Sequence, residues 1–186
     1  MINRRFAIKE GVTAKEIRDF LSINKIKRAE FADFLNVSVK TVNYWLSSNK
    51  EISGPIVALM TILNNNKELF DYYRLNKTEY PMRLFYMNKN DISTVIDVDY
   101  VNRRVKFRNY TDNTVERAFG VREKVSFEDY EHFIESRCFP SSRDKMKIEL
   151  EKLDLPFYDP ISIIEKTQGR LADDDNWIRI ERNNND

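Results

Sequence analysis

The stretch Arg28-Ala-Glu-Phe-Ala-Asp-Phe-Leu-Asn-Val-Ser-Val-Lys-Thr-Val-Asn-Tyr-Trp-Leu-Ser47 decides the fold of the first third of the chain. Ala29, Phe31, Ala32, Phe34 and Leu35 supply the apolar side of a short helix over about 28–35. Asn36 follows, a residue that tolerates the left-handed backbone conformation, so Asn36-Val-Ser38 reads as a tight turn. Ser38 is then an N-cap for a helix from Val39 to Ser48. Two short helices joined this closely must cross steeply, and the small residue needed where they touch is Ala32. Val42 and Trp45 face inward from the second helix. Ser38, Lys40, Thr41, Asn43, Tyr44 and Ser47 face outward.

Working outward, Thr13-Ala-Lys-Glu16 fits a capping box, in which the hydroxyl takes the Glu16 amide and the carboxylate reaches back. Ile17, Phe20 and Leu21 continue that helix to about Ser22. On the other side, Ser53-Gly-Pro55 opens a helix whose proline sits in the first turn, where no amide donor is needed. Ile56, Val57, Leu59, Met60, Ile62 and Leu63 cover much of its surface. Four helices around one core are therefore expected, with a polar, hydrogen-bonding face on the third. Such a face is what a helix lying in a DNA major groove requires. By residue type, Asn43 is expected to contact adenine, and Lys40 guanine or phosphate. Ser38 and Thr41 suit backbone or a thymine methyl, and Tyr44 and Arg28 suit phosphate, with Ser47 on the same face. A four-helix bundle that serves only as a dimer scaffold is the competing reading, and it does not need so polar a face.

The segment from Thr13 to Leu63 resembles the Cro/repressor-type (XRE-like) helix-turn-helix family, close to its antitoxin branch. Members often read S-x-x-T-V-x-x-W, then a polar turn and P-S-G-P-A-x-x-L. The matching residues are Ser38, Thr41, Val42 and Trp45, then Ser53-Gly-Pro55 and Leu59. The resemblance implies sequence-specific binding of double-stranded DNA by a homodimer on a palindromic site, with half-sites about one helical turn apart. Two positions depart from the family, which usually has Gln where Arg28 stands and Gly where Asn36 stands. Arg28 can still reach a phosphate, but the bases read at that edge can differ.

Composition is compatible with this. Of 186 residues, 41% are hydrophobic and 33% charged, the balance of a globular protein. Four glycines and five prolines are too few for long flexible linkers or a many-turned sandwich. Twelve Phe, nine Tyr and two Trp provide surface for real cores. A single cysteine, Cys138, excludes an internal disulfide framework and a cysteine-rich zinc site. No run of about 18 apolar residues occurs, and the N-terminus lacks a secretory apolar core. A cytoplasmic protein without a membrane partner is expected. Residues 1–66 hold 10 Lys+Arg against 6 Asp+Glu, while the remaining 21 and 24 fall in 67–186. A basic front on a slightly acidic remainder suits a DNA-binding module joined to a different module.

Beyond a helical linker at 67–81 the pattern changes. Met82–Met87, Thr94–Tyr100 and Arg104–Tyr110 read as strands, with a further strand near Val115–Phe119. Ser126 caps a helix to about Arg137, Ser141 or Ser142 caps another through Leu153, and Asp159-Pro160 starts one over Ile161–Lys166. An apolar piece, Trp177, Ile178 and Ile180, precedes a disordered tail at 183–186. The expected architecture is α + (α+β): an all-α helix-turn-helix domain over 1–66, then a small antiparallel sheet packed with helices over 82–182.

Phe133-Ile-Glu-Ser-Arg-Cys-Phe-Pro-Ser-Ser-Arg143, Leu150-Glu-Lys-Leu153, Ile163-Ile-Glu-Lys166 and Asp175-Asn-Trp-Ile178 are similar to a module ahead of the kinase domain in HipA-like proteins. That similarity implies a protein-interaction role in a toxin–antitoxin or mobile-element setting. No kinase loop or metal-binding Asp motif accompanies it. His132 with Cys138 could form a nucleophilic pair, but a surface histidine and a buried thiol are the simpler reading. Asp173-Asp-Asp175 reads as a solvated loop rather than a cation site. Arg103, Arg104, Lys106 and Arg108 read as a charged strand face, and Phe127, Tyr130, Phe133 and Phe139 as core. No catalytic residue, metal or cofactor is expected. The expected function is a DNA-binding transcriptional regulator, repressor or antitoxin in type, with a C-terminal protein-interaction or sensing domain. The alternative is a phage- or mobile-element-encoded inhibitor of a host protein that represses its own promoter. An enzyme such as a nuclease, using the acidic residues of the second domain, is the third.

Overall fold

The computed structural model describes residues 5–183 and forms two compact units, Met1–Leu75 and Asn76–Asp186. Among the described residues there are eight α-helices and one four-stranded antiparallel sheet. None of the helices is long and apolar enough to cross a membrane.

The first unit is helical: α1 (Ala14–Ile23), α2 (Arg28–Phe34), α3 (Val39–Ser47), α4 (Pro55–Asn65) and α5 (Glu68–Tyr73). Local chemistry sets the boundaries. The Thr13 hydroxyl accepts the Glu16 amide at 3.2 Å, and the Glu16 carboxylate accepts the Thr13 amide at 2.8 Å. A hydrogen bond from Lys9, then those from Thr13, hold the Glu16 carboxyl at about 2. Asn36 takes the left-handed conformation, φ 53°, and the Val37 amide donates back to Ala32 O at 2.9 Å, closing α2. Gly54, φ 101°, turns the chain into Pro55 at the start of α4.

Ile17, Phe20, Phe31, Val42, Leu46, Val57, Met60 and Leu63 are buried together, and Ala32 is 2% exposed beside them. Each large side chain buried this way contributes about 2 kcal/mol. The segment expected as a helical linker supplies α5, whose Phe70 is buried in the same core with its ring 4.7 Å from Phe34. A single antiparallel bridge, Val12 to Ile52 with both hydrogen bonds at 2.9 Å, ties the chain before α1 to the chain before α4.

The second unit is built on β1 (Met82–Asn88), β2 (Asp91–Asp99), β3 (Arg104–Asn109) and β4 (Asn176–Arg182), in the order β3-β2-β1-β4. Register pairs Leu84 with Ile96 and with Ile180, which fixes the alternation across the sheet. One face sends Leu84, Tyr86, Ile96, Val98 and Ile178 into a core with α6 (Phe127–Ser136), α7 (Met146–Lys152) and α8 (Pro160–Thr167). Ser126 and Asp159 cap α6 and α8 as their positions predict.

Three local expectations differ. Residues near Val115–Phe119 form successive turns, because the Asn113 side chain accepts the Val115 amide and Thr94 Oγ1 accepts the Ala118 amide. Helix α7 begins after Lys145, in the left-handed conformation, rather than at Ser141 or Ser142. The apolar piece around Trp177 is β4, paired antiparallel with β1 along its length. The expected disordered tail lies outside the described residues apart from Asn183, whose side-chain amide donates to Thr78 O and Tyr80 O.

Candidate functional site

Helix α3 carries the most distinctive surface of the first unit. Lys40, Asn43, Tyr44 and Ser47 are spaced i, i+3, i+4 and i+7, so they form one exposed stripe, while Val42 and Leu46 are buried on the other side. Tyr44 is 69% exposed. The helix VKTVNYWLS contains no carboxylate, so Lys40 gives the stripe a positive sign. Ser38 caps it: its hydroxyl accepts the Thr41 amide at 3.1 Å and lies 2.9 Å from the Thr41 hydroxyl. Ser47 donates to the Tyr44 carbonyl at 3.1 Å.

A residue from another helix joins this stripe. Arg28, the first residue of α2, donates from Nη1 to Asn43 Oδ1 at 3.1 Å, and both side chains are exposed. Arg28 also lines an open groove of about 500 Å³ with Arg18, Lys25 and Lys27, over Leu21 and Leu46. Arg18 Nη1 donates to Leu46 O at 2.7 Å, satisfying a carbonyl in the last turn of α3. The Glu30 carboxylate accepts the Lys27 amide at 2.8 Å, which occupies it at the start of α2. Four cations around one groove make a field that gathers anions.

Of the residues expected from sequence, Lys40, Asn43, Tyr44 and Ser47 share the stripe and Arg28 is linked to it through Asn43. Ser38 and Thr41 sit at the start of α3 with their hydroxyls engaged with each other. Arg18, Lys25 and Lys27 are additions that the sequence reading does not single out. The run Asn24-Lys-Ile-Lys-Arg28 holds the signal for two of them. Arg18 comes from a separate helix.

The second unit disposes of its chemistry differently. Cys138 is buried, its thiol donating to Ile134 O, and burial pushes it up to about 12. His132 is exposed on α6, and no hydrogen bond joins it to Cys138 among the described residues. Asp174 pairs with Arg137 and Asp175 with Lys89. Among the described residues no cluster of three or more His, Cys, Asp or Glu side chains is placed to hold a metal ion. Arg103 pairs with Glu131, and Arg104 with Asp99. A cleft of about 710 Å³ opens between sheet and helices, lined by Tyr100, Arg103, His132, Glu135, Asp159 and Arg182 among others.

No protein-family model, curated protein or solved structure matches the chain.

Proposed function

We propose that the chain is a transcriptional regulator that binds double-stranded DNA through a helix-turn-helix formed by α2 and α3. The observation that carries this reading is the exposed stripe Lys40, Asn43, Tyr44 and Ser47, free of carboxylates, beside a groove lined by four cations. In this reading α3 lies in the major groove, where its polar side chains reach base edges. Arg18, Lys25 and Lys27 meet phosphates and set the register on the duplex, and they carry affinity without sequence information. A homodimer places two copies of α3 one helical turn apart on a palindromic site.

The second unit acts in this reading as a protein-interaction or sensing module. The cleft beside Tyr100 supports the sensing variant, since about 710 Å³ falls within the range of small-ligand pockets.

Retention of random duplex fragments by the full chain, followed by sequencing, tests the reading. A recurring palindromic sequence is expected. Lys40→Ala with Asn43→Ala should abolish the preference, whereas Lys25→Ala with Lys27→Ala should weaken all sequences about equally. Retention of no duplex, or retention without any sequence preference in the unmodified protein, contradicts it.

A further inference from the structure

Asn43 stands in the middle of the exposed stripe, and its side chain is already half committed. Its carbonyl oxygen accepts a hydrogen bond from the Arg28 guanidinium at 3.1 Å. An asparagine that reads adenine must use both ends of its amide, donating to N7 and accepting from N6. Here the accepting end lies against a permanent positive charge. A second lone pair remains on that oxygen, but an adenine amino group approaching it would bring its N–H dipole, positive end first, toward a guanidinium. What remains without a partner among the described residues, on two exposed side chains, is the Asn43 Nδ2 amide, with two N–H groups, and the remaining N–H groups of Arg28. All of these are donors.

Guanine presents two acceptors, N7 and O6, on its major-groove edge, and adenine presents one acceptor and one donor. We infer that Arg28 and Asn43 act as a single donor-only reader of guanine, with Arg28 as a specificity-determining residue rather than a phosphate contact. The inference rests on the DNA-binding reading and goes further, naming the base and the residue pair that selects it. It also replaces the adenine contact that Asn43 suggests when considered alone. The distance between the two residues in sequence, fifteen positions, hides the pairing from any inspection of α3 by itself.

The test compares sequences selected from random duplexes by the full chain, by Arg28→Ala and by Asn43→Ala. At one position of each half-site the unmodified protein should favour guanine over adenine by about tenfold or more. Arg28→Ala frees the Asn43 carbonyl, so at that position adenine should gain and the ratio should move toward or past unity. Asn43→Ala should lower the guanine preference at the same position. Circular dichroism of both variants checks that the exposed substitutions leave the helices intact. An adenine preference in the unmodified protein that Arg28→Ala leaves unchanged overturns the inference while leaving DNA binding standing. Guanine preferences that neither substitution alters do the same. Selection of no duplex by the unmodified protein overturns both.

Discussion

Arg137 and Asp174 form a two-pronged ion pair, Nη1 to Oδ2 at 2.5 Å and Nη2 to Oδ1 at 3.0 Å. The guanidinium is only 5% exposed, and it also donates to Gly169 O at 2.9 Å and to Asn176 O at 3.0 Å. One side chain thereby joins the end of α6, the loop after α8 and the first residue of β4. Gly169, φ +58°, belongs to the same junction, because a Cβ there would lie 3.2 Å from the Arg137 Cβ.

Removing Asp174 leaves the buried Arg137 charge without compensation, which is costly, whereas the Asp174 carboxylate is itself partly open to water. Asp174→Ala should destabilise the second unit by about 3 kcal/mol, and Arg137→Ala should destabilise it too, because the Gly169 and Asn176 carbonyls lose their donor. The double substitution should cost clearly less than the sum, because the two residues act as one unit. Denaturant midpoints of the three variants measure this, and additive costs would show that the pair is not coupled.

Acid should act on the same unit. The Arg137 hydrogen bond holds the Asp174 carboxyl below the usual carboxylate range, and hydrogen bonds from Arg104 and then Asn102 hold Asp99 at about 2. Both folded values lie below the unfolded value of about 3.9. Their stabilisation is therefore complete above about pH 4 and declines as pH falls through the folded values. Between about pH 7 and 5 these two groups should contribute no slope. Asp99→Asn should flatten the decline between about pH 4 and 2, and an unchanged acid slope in that variant would contradict the assignment.

The turn between α2 and α3 makes a separate prediction. Asn36 holds φ 53°, a conformation that a β-branched side chain resists and glycine does not. Asn36→Val should cost about 1–2 kcal/mol, whereas Asn36→Gly should leave stability equal or slightly higher. Thermal melts followed by circular dichroism separate the two. Equal costs in both variants would mean that the Asn36 side chain, not its backbone, holds the turn.

Features written in neighbouring residues are legible in the sequence. Thr13 with Glu16, Asn36, Ser38, Pro55, Ser126 and Asp159 mark their helix ends because capping needs only residues within a turn of one another. The apolar and polar sides of α3 follow from helical spacing alone. The rest depends on partners far along the chain. Strand β4 pairs with β1 about ninety positions earlier, so its seven residues carry no sign of their neighbour. Near Val115 the β-branched and aromatic residues suggest a strand, but polar side chains of Thr94 and Asn113 take the amides that a ladder would need. The site shows the same division. The stripe on α3 is visible in sequence, while the groove of Arg18, Lys25 and Lys27 and the bond from Arg28 to Asn43 arise only when three helices pack.

We propose that the first unit binds duplex DNA through α3 and the cations beside it. Fluorescence anisotropy of the full chain with a labelled duplex, repeated across salt concentrations, tests it most directly. Log K should fall linearly with log salt. Lys25→Ala or Lys27→Ala should reduce the slope by about 0.9 for each phosphate that is no longer neutralised. An absence of duplex binding at low salt, or an affinity that salt leaves unchanged, would contradict it.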